Sequence, residues 1–399
     1  MIYFYILLLR IVAYLEGPSK IVAFIVVFSM MSFSTIKRIP LTNLTKISKT
    51  NFYALLICIS ITIHAFIFSE VLLRDVAVLL TYWIWLIFTL TYFKDKTLDE
   101  CLKFILITFL IFNVANYIYF KLYFADQKFG LNSIMSMLGI FGYRIYFPLS
   151  SGANTFTSQL ALNALIVLYF IKKSKNKFLY ISIYVYYILM QILADSRLIL
   201  FFTITFSFIY WFSLSTLIEF FKNFWWAIGI LLFGFLFVFY GTNLFDAFKR
   251  IGEIQGKALS RIEIWSIAKD VIFSDFHLIT GYGLNGFENN MLETSKKIFE
   301  KQYLQTSHNF IIQNIIDFGL LGIVIILYLV FEIFKKAVKL KLQIITILII
   351  MILFMGVTES IPSFYSFEPT LFFIVLLSII LTQNERKSVR NPKSNNVLS

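Results

Sequence analysis

Residues 155–171 read TFTSQLALNALIVLYFI, residues 178–194 read FLYISIYVYYILMQILA, and residues 198–214 read LILFFTITFSFIYWFSL. Each run has seventeen residues without a charge, close to the roughly 20 that a helix needs to cross a bilayer. The first two are joined by KKSKNK at 172–177, which carries four lysines, and the last two by Asp195-Ser196-Arg197. Such short connections turn each helix back on its predecessor, so successive connections fall on opposite faces of a membrane.

Working outward, apolar runs recur at 2–15, 20–36, 52–68, 71–93, 104–120, 224–240, 309–331, 342–357 and 369–382, which makes twelve spans in all. With alternating ends, the connections at 37–51, 94–103, 172–177, 215–223 and 332–341 and the tail from 383 share one side and hold 20 Lys and Arg. The opposite side, the long 241–308 segment aside, holds six: Lys20, Arg74, Lys121, Lys128, Arg144 and Arg197. The positive-inside rule puts the lysine-rich side and both termini in the cytoplasm. The first run rises only about 22 Å and is interrupted by Arg10, so eleven spans with an outside N-terminus is the alternative. No cleaved signal peptide is expected, because the first residues lack a basic n-region.

The composition agrees. Of 399 residues, 59% are hydrophobic and 14% charged, against about 45–50% and about 25% in ordinary soluble domains. A soluble globular enzyme, a disordered chain and a nucleic-acid binder are thereby excluded. The net charge of +13 is largely the orientation signal just described. Two cysteines, Cys58 and Cys101, supply neither a disulfide framework nor metal-ligand spacing. The expectation is an all-α, polytopic helical membrane protein of about 12 transmembrane helices. It divides into helices 1–9 over 1–240, an external loop over 241–308, helices 10–12 over 309–383 and a cytoplasmic tail over 384–399.

Two external segments, 121–154 and 241–308, are longer than simple connections, and long loops without disorder composition tend to be functional. In the second, Ser260 and Glu263 form an S-x-x-E capping box, and Ile262, Trp265, Ala268 and Ile272 follow at helical spacing. A helix over 261–273 on the outer membrane surface is expected. Gly281-Tyr282-Gly283-Leu284-Asn285-Gly286 spells G-x-G-x-x-G, but that dinucleotide fingerprint has meaning only between a strand and a helix of a parallel sheet. Here it reads as a glycine turn between loop helices.

Three basic groups converge on the external face: Arg197 starting the eighth span, Arg261 on the loop helix and His308 starting the tenth. Arg144, in Gly142-Tyr143-Arg144, is a fourth. Guanidinium forks match phosphate oxygens bidentately, so these arginines suit a lipid-linked pyrophosphate, although an arginine at a span end also snorkels or pairs with an acid such as Asp195. His64 and His277 read as structural. Gln313, Asn314 and Asp317 either line a polar cavity or bond within the bundle. Gly319 and Gly322 share a helix face and read as a close-packing site for a neighbouring helix. Tyr282 and Phe287 are the aromatics suited to sugar contact. External acids, including Glu70, Asp75, Asp195, Glu359 and Glu368, form no cluster in sequence, so no metal is expected.

The order Asp195-Ser196-Arg197 opening a span, Arg261-x-x-x-Trp265, Gly281-Tyr282-Gly283-x-Asn285-x-Phe287, then Ser307-His308-Asn309-Phe310-Ile311-Ile312-Gln313 and Gly319-Leu320-Leu321-Gly322 resembles the O-antigen polymerase (Wzy) and O-antigen ligase (WaaL) superfamily. Arg144 followed by Gly152-Ala153-Asn154-Thr155 resembles an upstream segment of the same proteins. The resemblance implies a metal-independent, inverting glycosyltransferase of the bacterial inner membrane that needs no cofactor. Its donor and acceptor would be undecaprenyl-pyrophosphate-linked oligosaccharides, with a chain-length regulator as a further partner and no nucleic acid. It implies that Arg197 and Arg261 bind the pyrophosphate, with Arg144 beside them, and that His308 serves the acceptor as the catalytic residue. A polymerase of repeat units is the first expectation, a ligase to lipid A core the second, and a lipid-glycan flippase or transporter the third.

Overall fold

The computed structural model describes residues 96–125, 131–147 apart from 138 and 146, 153–212, 277–283, 286–287, 307–357, 359 and 375–383, with single positions between 26 and 93 and between 264 and 272. Among these, every regular element is α-helical, and the one β-type pairing is an isolated bridge between Leu131 and Tyr143. The helices are α1 (Leu98–Tyr123), α2 (Ser133–Met137), α3 (Ala153–Lys173), α4 (Lys177–Leu193), α5 (Arg197–Phe212), α6 (His277–Thr280), α7 (Phe310–Lys339) and α8 (Gln343–Gly356). Residues 375–383 are also helical.

Six expected apolar runs fall on α1, α3, α4, α5, α7 and α8, and the run at 369–382 overlaps the helical 375–383. Runs 2–15 and 224–240 lie outside the described residues, and 20–36, 52–68 and 71–93 are described only at single positions. Among the described residues α1 alone is long and apolar enough to cross a membrane as one straight helix. The two halves of α7, bent by 60°, pass the same test together, and α4, α5 and α8 are shorter apolar helices.

The ends are set by local chemistry. Thr97 and Glu100 form a reciprocal capping box at the start of α1, with Thr97 Oγ1 accepting from Glu100 N–H and Glu100 Oε2 accepting from Thr97 N–H. The basic segment 332–341, expected as a loop, is instead mostly the last turns of α7. Lysine is a good helix former and complements the negative end of the helix dipole, so the helix continues until Lys341. That residue adopts φ 56, and bonds from Lys341 N–H to Val338 O and from Leu342 N–H to Ala337 O close a Schellman turn. A left-handed lysine costs roughly 1 kcal/mol that glycine does not. Lys341→Gly is therefore expected to raise stability by roughly 1 kcal/mol, read as a higher thermal midpoint in detergent; an unchanged or lower midpoint would contradict the assignment.

Interhelical contacts make the bundle antiparallel. Asp99 at the start of α1 meets Tyr169 and Lys173 at the end of α3, while Phe112 packs on Phe156 further along. Phe170 stacks on Tyr180, and Thr157 bonds to Ser196. Lys172 Nζ donates to the Tyr210 and Trp211 carbonyls and so caps α5. One end of the bundle thus gathers Lys96, Lys172 and Lys173, with Gln383 bonded to Lys96 O. Asn309 Nδ2 donates to Val357 O and ties the start of α7 to the end of α8. Phe354 of α8 lies against Phe202 and Phe206 in the middle of α5.

The polar and apolar faces are distributed as a lipid solvent requires. Asn113, Asn116, Gln159, Asn163 and Gln191 are fully buried between helices, whereas Phe201, Phe208, Val324, Tyr328 and Phe331 are more than half exposed. Interhelical polar side chains with apolar outer faces suit a bilayer; in water such stripes would be aggregation surfaces.

Candidate functional site

The turn between α4 and α5 forms because Asp195 N–H bonds to Ile192 O and Ser196 N–H to Gln191 O, another Schellman closure, with Asp195 at φ 55. Unlike Lys341, Asp195 uses its side chain here. Its buried carboxylate accepts from Ile134 N–H at 3.1 Å and lies 3.9 Å from Arg197 Nε. Segment 131–147 docks on the carbonyls that end α4: Asn132 Nδ2 donates to Ile192 O and Leu193 O, Ile145 N–H to Leu193 O, and Arg144 Nε to Ala194 O at 3.1 Å.

Arg144 and Arg197, from separate parts of the sequence, therefore meet on one turn. Arg144 donates to a carbonyl at a helix C-terminus, where a cation is favoured. Arg197 is the first residue of α5, where a cation opposes the helix dipole. Two guanidinium groups thus stand beside the Asp195 carboxylate at the N-terminus of a helix, the helix end that favours an anion.

His308 lies between α7 and the segment before it, held by its neighbours. Ser307 Oγ donates to Asn309 O, and Asn309 Oδ1 caps α7 by accepting from Ile311 and Ile312 N–H. These bonds pull His308 into the left-handed region at φ 49. Its Nδ1 is 3.4 Å from Glu359 Oε2, and the carboxylate side chain is 6% exposed against 38% for the imidazole. A buried carboxylate behind a partly exposed imidazole orients the ring. Sequence reasoning left Glu359 as one scattered acid. The signal available was the α7–α8 hairpin, which returns the chain to the level of His308 just after residue 357.

The glycine turn is found as expected, with Gly281 and Gly283 at φ 71 and 87. It docks on α7, Tyr282 N–H bonding to Ile316 O and Gly283 N–H to Asp317 O. Those carbonyls precede a break at Gly319, whose φ 68 and ψ −174 are non-helical. The close-packing role expected for Gly319 and Gly322 holds at Gly319, where a Cβ would sit 2.1 Å from Ile279 O of the neighbouring short helix α6. It is corrected at Gly322, where a Cβ would meet Phe318 Cβ of the same helix at 2.1 Å. Gly319 admits the external turn and accommodates the break, whereas Gly322 makes room for Phe318.

A second correction concerns Phe287. It is fully buried with Ile264, Ala268, Ile272 and Ile316, so it is a core residue and no sugar platform. Tyr282 is partly buried and stacks on His277 at 4.3 Å. Positions 264, 265, 268 and 272 are helical, as the spacing predicts, and their buried face packs on protein. Gln313 and Asp317 bond within the bundle. Arg261 and His64 lie outside the described residues. Among the described residues no group of His, Cys, Asp and Glu is arranged to hold a metal ion.

The family model Wzy_C, described as O-antigen ligase, matches residues 182–327. It starts within α4, runs through the Arg197 turn, the glycine turn and His308, and ends in α7. The resemblance to the O-antigen polymerase and ligase superfamily stands on that segment, a little over a third of the chain. The match fits polymerases and ligases alike. No curated protein matches the chain.

Proposed function

We propose that this chain is a glycosyltransferase of the inner membrane that polymerises undecaprenyl-pyrophosphate-linked repeat units at the external face, without metal or cofactor. The observation that carries the reading is that Arg144 and Arg197 are both held on the turn that precedes α5, one on Ala194 O and one beside Asp195. Arg197 and His308 both lie within the segment 182–327 matched by the family model, and Arg144 and Glu359 are brought to them from outside it. The remaining layout follows the sequence: twelve spans, both termini cytoplasmic, the 241–308 loop over the site and a solvated tail after 383.

In the reaction, an acceptor hydroxyl attacks the anomeric carbon of the donor sugar from the face opposite the pyrophosphate, and the C–O bond to the pyrophosphate breaks with both electrons leaving on oxygen. Arg197 and Arg144, joined by Arg261, neutralise the charge that develops there. His308 takes the hydroxyl proton at Nε2, with the Nδ1 proton donated to Glu359. The described helices alone favour no branch of the superfamily. The description carried by the family model favours a second reading, a ligase that moves the finished glycan to a lipid acceptor.

The test is the glycolipid profile of a host lacking only this gene, resolved by gel. Surface lipid bearing a single repeat unit is expected. Loss of all surface glycan with long chains held on undecaprenyl pyrophosphate would establish the ligase instead, and an unaltered profile would overturn both readings.

A further inference from the structure

A buried hydrogen-bond chain joins the His308 turn to the glycine turn of the external loop. Ser307 N–H donates to Gln313 Oε1 at 2.9 Å, Gln313 Nε2 donates to Asp317 Oδ2 at 2.9 Å, and Phe287 N–H donates to Asp317 Oδ1 at 3.0 Å. The Ser307 carbonyl accepts from Trp265 Nε1 at 2.8 Å. Both main-chain groups of the residue before His308 are therefore fixed, one by α7 and one by the loop helix. Gln313 and Asp317 are one turn apart on α7 and almost fully buried.

Neither side chain is placed to touch a substrate, yet both determine where His308 and the loop stand. We infer that Gln313 and Asp317 are positioning residues, an amide–carboxylate pair that holds His308 in register with Phe287 of the external loop. This rests on the glycosyl-transfer reading above. The chain has a direction: the carboxylate accepts twice, which turns the Gln313 amide so that its oxygen faces Ser307 N–H. Any acceptor pair with the same direction is expected to serve equally.

Transposing the two groups tests this. In Gln313→Glu/Asp317→Asn, the new carboxylate at 313 accepts from Ser307 N–H and from the new amide at 317, whose oxygen accepts from Phe287 N–H. Asp317→Asn alone sets two amide NH2 groups against each other or strands a main-chain N–H. Gln313→Glu alone opposes two carboxylates. The full-length protein in lipid nanodiscs is measured in two ways: sugar transfer from an undecaprenyl-pyrophosphate-linked oligosaccharide, and hydrogen exchange of peptides covering residues 287 and 307.

Each single variant is expected to lower kcat about tenfold and to speed exchange at both peptides by a similar factor. The double variant is expected to return both to within about threefold of the parent. The proposal is overturned if the double is no better than the worse single, if it fails to accumulate, or if the singles leave exchange unchanged. Should exchange follow this pattern while even the parent transfers no sugar, the glycosyl-transfer reading falls and the coupling remains.

Discussion

His308→Ala is expected to lower sugar transfer by at least about 100-fold, the lower range for removal of a general base, while binding of the lipid pyrophosphate persists. Alanine at φ 49 adds backbone strain of about 1 kcal/mol, so the informative partner is His308→Asn. Asparagine tolerates the left-handed region but supplies no basic ring nitrogen. Both variants losing transfer, with donor binding intact, assigns the effect to the imidazole. Full activity in His308→Asn would reduce His308 to a turn residue and refute its catalytic role. Glu359→Gln should have the smaller effect, about tenfold, because it weakens a hydrogen bond to His308 that is already 3.4 Å long.

The second large effect belongs to a residue with no chemistry. Gly319→Ala places a Cβ 2.1 Å from the Ile279 carbonyl oxygen, at a φ/ψ pair that is essentially restricted to glycine. The strain alone is about 1–3 kcal/mol, and the overlap requires the external turn to leave α7. Loss of folded protein, or a thermal midpoint lowered by many degrees, is the expected result, measured by fluorescence-detected gel filtration after heating. A midpoint equal to the parent's would contradict the interlock. Gly281→Ala should behave alike, since its Cβ would meet Gly319 N at 2.5 Å.

These two cases mark what was legible beforehand. His308, Arg197 and Arg144 could be singled out as candidates because residue type, the end of an apolar run and order along the chain are local properties. The glycine turn was visible too, because Gly281 and Gly283 sit between helical segments. The docking of that turn on a break in α7 was not, for Gly319 in an apolar run reads as ordinary small-residue packing. Only the approach of Ile279 reveals its conformation. Phe287 misled for the same reason: an aromatic in an external loop is indistinguishable from a buried one until Ile264 and Ile316 are seen around it.

By itself, the sequence determined the all-α class, the helices from α1 to α8 that lie on apolar runs, the concentration of lysines at one end, and the basic residues offered at the other. Run length and charge placement are read one segment at a time, so no contact is needed to know them. Tertiary structure alone decided that Glu359 stands behind His308, that Arg144 joins the turn of Asp195 and Arg197, and that Gln313 and Asp317 tie His308 to the external loop. Each of these joins groups brought together by chain reversal or helix packing, and in a low-dielectric interior a polar group must find its hydrogen-bond partner wherever the fold brings one within reach.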